Sequence, residues 1–354
     1  MRVLEAITPS GIGGAEVVFA MTVRGFLGLG EEVVAFCPSG RPLVSYLEEQ
    51  GIHAVTWRTW GKCDPWTVLR LVALMKSRRI ETVHTHLSTA SFLGCLSARL
   101  IGVPSIATVH GFSDARWYRY ADGIVAVSQA VKSHLVTQNI PEGRIHVVHN
   151  GIPLDKYVPQ PVEVARQALG LEPAGLRAGV FGRLAPVKGQ ATAFAAWSRV
   201  KSRFPKAKLM LVGQGRSGEA LKALSRDLDL GDSVEFWGFL PDPRQAMAAC
   251  DAVLVPSVRE GLGLAAIEAM ALQRPVIASN TGGLPEVVEH ERSGILVPPG
   301  DAEALAEAAI RLFEDSDAAA QLGRAGRERV ERHFSAEGQI LALREVMRDR
   351  VGTG

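Results

Sequence analysis

The sequence predicts an α/β protein built as two Rossmann-like halves with a cleft between them, on three observations. The chain is 354 residues long, more than one ordinary domain of about 100–200 residues holds. Short β-branched runs alternate with longer amphipathic stretches, the pattern of βαβ units and a parallel sheet. The alternation then starts afresh after a polar, proline-bearing stretch at 154–161, the best linker candidate. The division is placed accordingly, with 1–155 as N-terminal domain and 156–335 as C-terminal domain.

In the first half the strands are read at 3–7, 32–36, 53–56, 82–86, 105–109, 123–127 and 145–148. Amphipathic helices at 15–27, 65–77, 88–100 and 129–137 fall between them. The second series of strands is read at 177–181, 208–212, 233–236, 252–255, 275–278 and 295–297, again spaced by helices. From Ala302 onward the pattern is almost wholly helical.

A hydrophobic fraction of 47% and a charged fraction of 21% exclude a disordered or fibrous chain. A net charge of +2 lacks the basic excess of a nucleic-acid binder. No uncharged apolar run reaches the ~20 residues that span a bilayer, and the start lacks the apolar core of a signal peptide. Cys37, Cys63, Cys95 and Cys250 show neither a disulfide framework nor a zinc spacing. A soluble protein of a reducing, cytoplasmic compartment is expected.

Ligands of open parallel sheets bind beyond the carboxyl ends of the strands, and the chemistry-bearing residues fall there. Gly11-Ile-Gly-Gly-Ala-Glu16 follows the first strand, where Gly13 and Gly14 either admit a ligand close to the backbone or make a tight turn. Glu16 in the sixth position breaks the G-x-G-x-x-G fingerprint, which sets aside a nicotinamide enzyme. His84-Thr-His86 ends the fourth strand with both imidazoles on one face. No third ligand stands at a recognisable spacing, so no metal is expected. Thr108-Val-His110-Gly111 ends the fifth strand, and His110 either points into the cleft toward a polar substrate or serves as a cap or core residue.

In the second half Gly182-Arg183-Leu-Ala-Pro-Val-Lys188-Gly189 leads from a strand into a helix. A planar fork at Arg183 and a mobile point charge at Lys188 suit a diphosphate. Gly213-Gln-Gly215 is a second glycine-rich loop. The sharpest feature is Glu260-Gly-Leu262-Gly263-Leu264-Ala-Ala-Ile-Glu268. If both acids are helical they lie near one face; if Glu260 precedes the helix it reaches beyond the N-terminus, with Glu268 farther in. Carboxylates accept hydrogen bonds from paired hydroxyls such as sugars and ribose carry, and free N–H groups of the turn suit a phosphate.

In their order and spacing these segments resemble the family 4 glycosyltransferases, retaining enzymes of the GT-B fold. The likeness runs nearly end to end: Gly13-Gly14-Ala15-Glu16, His84-Thr-His86, Thr108-Val-His110-Gly111, Val148-His-Asn150-Gly151, Gly182-Arg183 with Lys188-Gly189, and Gly213-x-Gly215. It continues through Pro256-Ser257 ahead of the two acids, Thr281-Gly-Gly283-x-Pro-Glu286 and Gly294-x-Leu-Val-Pro298. One departure is Leu262-Gly263, where the family usually carries Phe-Gly, a change that bears on donor preference more than on activity.

The resemblance implies transfer of a hexose-type sugar from a nucleotide diphosphate sugar to a glycan, lipid-linked or small-molecule acceptor. Arg183 and Lys188 neutralise the donor diphosphate, Glu268 binds ribose, Glu260 binds the transferred sugar, and His110 contacts that sugar from the N-terminal domain. Gly13, Gly14, Gly182, Gly213, Gly215, Leu262, Gly263 and Leu264 complete the donor site. A C-terminal helix at 336–354 crosses back onto the first domain. No cofactor and no metal are implied, the nucleotide sugar being a co-substrate. Asp227-Leu-Asp229, spaced like a metal-holding pair, lies in a helical stretch. A sugar-nucleotide 2-epimerase and a non-catalytic sugar-nucleotide-binding protein share the architecture and stay as alternatives.

Trp57-Arg-Thr-Trp60-Gly-Lys-Cys-Asp-Pro-Trp66 concentrates tryptophans and cations, and Arg116-Trp-Tyr-Arg-Tyr120 does so again. These tryptophans either fill the core, or mark peripheral contact with the inner face of the plasma membrane or stacking on a sugar.

Overall fold

Seven strands make the first sheet of the computed structural model, which describes residues 1–9 and 11–351. They are β1 (Arg2–Ile7), β2 (Glu32–Pro38), β3 (Val55–Trp57), β4 (Thr82–His86), β5 (Ser105–Val109), β6 (Gly123–Ala126) and β7 (Ile145–Val147). All pair in parallel, in the order β3-β2-β1-β4-β5-β6-β7. Helices cover both faces, which is why β4 and β5 are buried along their whole length. Period-two alternation divides the side chains of β1. Leu4 and Ala6 pack with Val83 and with Val68, Leu71 and Leu93 of helices Pro65–Ser77 and Ser88–Leu100. Ile7 packs with Phe19 and Val23 of helix Gly14–Gly28 on the other face.

The helix Ala336–Val351 belongs to this first unit and is the last element described; residues 352–354 of the expected helix lie outside the described residues. Its Ile340, Leu343 and Met347 join Val3 and Phe26 in one cluster. Gly25 makes this approach possible, because a Cβ there would collide with Ile340.

The second unit carries β8 (Arg177–Phe181), β9 (Lys208–Val212), β10 (Val234–Gly238), β11 (Ala252–Val255), β12 (Val276–Ser279) and β13 (Ile295–Val297). Their order is β10-β9-β8-β11-β12-β13, all parallel. Phe194, Trp197, Leu209, Leu211, Leu305 and Leu312 centre its core.

The units divide between Gly151 and Ile152 rather than after residue 155. The Gly151 N–H donates to Gln339 Oε1 at 2.6 Å, within the first unit. The Ile152 N–H donates to the Phe334 carbonyl at 2.9 Å, within the second. The polar stretch read as a linker is therefore tied into the second unit, where Tyr157 is buried and the Gln160 carbonyl accepts from Arg274 at 2.8 Å. The helix Pro42–Glu49 has no counterpart in the sequence reading.

In both sheets the chain enters at the centre, builds outward to one edge, then returns to continue on the other side. The order thus reverses between β1 and β4, and again between β8 and β11. Such reversals open a crevice at the carboxyl ends of the strands.

Candidate active site

In the second unit the reversal brings the loop after β11 against the loops after β8 and β12. The Val258 N–H donates to the Val187 carbonyl at 2.9 Å, and the Gly283 N–H donates to the Glu260 carbonyl at 3.1 Å. So strapped, Lys188 and Glu260 face one another. Lys188 Nζ lies 2.7 Å from Glu260 Oε2, and Ser257 Oγ donates to the same oxygen at 2.9 Å. Both charged side chains are largely shielded, 28% and 13% exposed. Arg183 is exposed instead, and its guanidinium has no carboxylate partner among the described residues.

The glycines of these loops serve mainly close packing. Gly213 sits at φ 139°, and a Cβ there would overlap the Gly182 carbonyl oxygen; Gly215 lies equally tight under Leu184. The Gly182 N–H is spent on the Val212 carbonyl and that of Gly213 on the Gly238 carbonyl. Neither amide is therefore open to a donor.

Of the two arrangements open for the acids, Glu260 precedes helix Leu264–Ala271, which Gly263 caps at φ 111°, and Glu268 lies within it. The amides of Leu262, Gly263 and Leu264 have no acceptor among the described residues, the condition in which a helix start holds an anion. The Leu262 side chain is buried, so this residue offers backbone only. Glu268 accepts a hydrogen bond from Tyr157 Oη at 3.0 Å. Burial pushes its carboxyl up to about 7, with Asp242 adding to the rise and Tyr157 and Arg244 opposing it. The Tyr157 hydroxyl is raised by burial and by Glu268 in turn.

In the first unit Gly13 and Gly14 are exposed at the start of helix Gly14–Gly28, with no acceptor for either amide among the described residues. The histidines stand on β4 and at the carboxyl end of β5. His84 Nδ1 contacts both oxygens of Glu5, at 3.0 and 2.9 Å, and its Nε2 lies 2.7 Å from Thr108 Oγ1. His86 Nε2 is 3.2 Å from Glu5 Oε2, and its Nδ1 is 2.9 Å from His110 Nε2, the two rings within 18° of coplanar. His110 itself is half-buried at the end of β5. Glu5, His84 and His86 offer three ligand-type atoms within 4.8 Å of one another. The third group that sequence spacing does not supply thus comes from β1. Each of the four imidazole nitrogens of His84 and His86 is already within hydrogen-bond reach of a protein group.

Asp227 ends helix Gly218–Asp227, and Asp229 follows it at φ 48°. Asp315-Ser-Asp317 has the same spacing, and there Asp315 caps the helix Ser316–His333 by accepting from the Ala318 N–H.

The tryptophans of the first unit divide between core and surface. Trp57 is half-buried, stacks on Phe36 at 4.2 Å and donates to Thr67 Oγ1. Trp60 and Trp66 stand 69% and 68% exposed, with Leu69 at 57%. The Arg58 guanidinium lies 4.2 Å from the Trp60 ring, and Lys62 Nζ 3.6 Å from that of Trp117.

Glu5 and Tyr157 are the site residues that the sequence reading passes over. Glu5 leaves a signal, a charge flanked by apolar Val3, Leu4, Ala6 and Ile7 in β1. Tyr157 leaves none, since its partner is 111 residues away.

Residues 12–156 match the family described as Glycosyltransferase Family 4, and residues 163–329 the one described as Glycosyl transferases group 1. Over 312 residues the chain is 30% identical to the D-inositol 3-phosphate glycosyltransferase of Segniliparus rotundus, covering 79% of this chain and 70% of that one. Over 291 residues it is 31% identical to the GDP-mannose-dependent alpha-(1-6)-phosphatidylinositol monomannoside mannosyltransferase of Mycobacterium tuberculosis, covering 75% and 74%. HepE of Anabaena, solved in complex with UDP-glucose, superposes with a TM-score of 0.87 at 25% identity, over 99% of this chain and all of that one.

Proposed function

Because the chain belongs to the family 4 glycosyltransferases and has their GT-B fold, we propose that it transfers a hexose-type sugar with retention of configuration and without a metal. The observation that carries the reading is the cluster at the β8–β11 reversal: the Lys188 ammonium beside Glu260, the exposed guanidinium of Arg183, and the unsatisfied amides of Leu262, Gly263 and Leu264. It offers positive charge and N–H donors for a diphosphate, and a carboxylate for sugar hydroxyls. Glu268 takes the ribose hydroxyls, and the free amides of Gly13 and Gly14 approach the donor. His110 takes a hydroxyl of the sugar. Gly182, Gly213 and Gly215 shape the loops that hold Lys188.

In this reading the acceptor hydroxyl attacks from the face that the diphosphate leaves. The departing phosphate oxygen takes the acceptor's proton, so no separate enzymic base is needed. Arg183 and Lys188 stabilise the charge that grows on the diphosphate, and binding supplies the orientation. Two side-chain cations take the place of a metal on the diphosphate.

For the acceptor we favour a lipid-linked or envelope glycan met at the inner face of the membrane. Exposed Trp60, Trp66 and Leu69, with Arg58 over the Trp60 ring and Lys62 and Arg70 in the same stretch of chain, suit a headgroup layer, the rings at the interface and the cations toward anionic lipid. The phosphatidylinositol monomannoside in the name of the M. tuberculosis relative supports this choice.

The functional reading is tested with a thermal-shift panel of nucleoside diphosphates, followed by a transfer assay with the nucleotide sugar that stabilises. A ligand at ~100 times its Kd adds about 2.7 kcal/mol of stability. No stabilisation by any nucleoside diphosphate overturns the reading.

A further inference from the structure

Glu5 is a carboxylate in the middle of a buried sheet, 0% exposed, and the roles given above leave it unused. Who donates and who accepts around it follows from its charge. Burial alone would raise its pKa, but the contacts with His84 and His86 outweigh burial and hold it below the usual carboxylate range. A carboxylate only accepts. His84 Nδ1–H and His86 Nε2–H are therefore the donors in their contacts with it.

His86 is pushed down to about 4, by burial first and by His84 next, so near neutrality it carries one ring proton. That proton is on Nε2, which leaves Nδ1 bare. The atom 2.9 Å from this bare nitrogen is His110 Nε2, which must then carry the hydrogen. His110 is also held well below its ordinary value, by burial and then by His86 and His84. Neutral, with its proton on Nε2, it presents a bare Nδ1. No protein group among the described residues hydrogen-bonds that atom. Phe19, edge-on to His86 at 5.4 Å, and Thr108 on His84 also pack on these imidazoles, and both are uncharged.

We propose that Glu5 and His86 are positioning residues that fix the tautomer of His110. The chain Glu5–His86–His110 turns Nε2–H inward and presents Nδ1 as an acceptor. His110 thereby receives a hydrogen bond from a substrate hydroxyl and donates none to a phosphate. The proposal rests on the reading of His110 as a sugar-binding residue, and it assigns that residue a direction.

The test is nitrogen-15 NMR of the full chain with labelled histidine, the His110 signals being assigned by their loss in His110→Gln. The expected spectrum shows one protonated nitrogen, Nε2, and one bare nitrogen, Nδ1, unchanged between about pH 6 and pH 8. A protonated Nδ1 overturns the proposal. In Glu5→Gln one acceptor oxygen becomes an N–H donor, so His86 Nε2 is no longer held as a donor. His110 should then populate both tautomers, and kcat/KM should fall about 10- to 100-fold, the scale for losing a partner that orients a histidine ligand. Nucleoside diphosphate binding should persist in that variant. A fall in activity with the His110 signals unchanged leaves Glu5 a merely structural residue and also overturns the proposal. If Glu5→Gln does not fold, the wild-type spectrum alone decides. The tautomer is read without substrate, so it stands or falls apart from the nucleotide panel that tests the function.

Discussion

Lys188 and Glu260, 72 residues apart in the chain, meet with Nζ 2.7 Å from Oε2, and Ser257 donates to the same oxygen. The two residues expected to serve different parts of the donor are thus one ion pair. Its two ends are only partly exposed, so solvent screens it less than a surface pair. An ammonium has three N–H donors, which allows Lys188 to keep Glu260 while it reaches a phosphate oxygen. Glu260 in turn is aimed by Lys188 and Ser257 before any sugar arrives.

Lys188→Met and Glu260→Gln should each lower kcat by about 100-fold or more, the scale for losing one charge-stabilising group. Each change also releases the partner, so the double variant should lose far less than the product of the two. Steady-state kinetics on the four proteins checks this. Fully multiplicative losses would show that the two residues act separately.

Donor affinity should depend on pH through Glu268. Its carboxyl stands at about 7 in the folded chain against an ordinary value of 4.5. Ribose hydroxyls need the carboxylate as acceptor, so nucleoside diphosphate affinity should weaken as pH falls below about 7. Stability runs the opposite way. Between about pH 4.5 and 7 the folded state binds more protons at Glu268 than the unfolded one, so this residue's contribution falls as pH rises through that window. Tyr157→Phe removes a hydrogen bond that holds the carboxyl down, and should move the affinity midpoint to higher pH. Calorimetric titration across the range reads both shifts; a flat profile separates Glu268 from ribose.

Transfer should persist in excess EDTA, since Arg183 and Lys188 supply the charge facing the diphosphate. Complete loss that manganese restores would sink the metal-free reading.

Vesicles containing anionic lipid should sediment with the protein at low salt and release it as salt rises, because a few surface cations lose their attraction within a Debye length. Trp60→Ala with Trp66→Ala should weaken binding about ten-fold or more while leaving the fold intact, both rings being exposed. Absence of binding at low salt leaves a soluble acceptor.

The strands and most helices were legible because burial on both faces writes itself as short β-branched runs, as at Ser105–Val109 and Ala252–Val255. The helix Pro42–Glu49 was not, since it opens on proline and keeps only Leu43 and Leu47 buried. In the site, Glu260 and Glu268 stood out by spacing, whereas their partners Lys188 and Tyr157 are joined to them only by the fold. Sequence gave the two histidines of β4 one face, but their hold on Glu5 depends on β1 and β4 lying side by side. Gly213 and Gly215 read as a second glycine-rich loop, and the structure packs them against the Gly182 and Leu184 carbonyls, because loose glycines and crowded ones look alike in one dimension.

The helix Ala336–Val351 covers Val3, Gly25 and Phe26, yet it is made after the whole of the second unit. On the ribosome the first 151 residues therefore emerge as a sheet with one flank bare. They wait for the whole of the second unit to be synthesised before their own final helix arrives. The usual order, in which the N-terminal domain finishes first, is inverted: the later-made unit is contiguous and can close while the earlier one is still incomplete. A nascent chain stalled short of Ala336 exposes the apolar surface around Gly25, which makes that interval the natural moment for chaperone capture or aggregation.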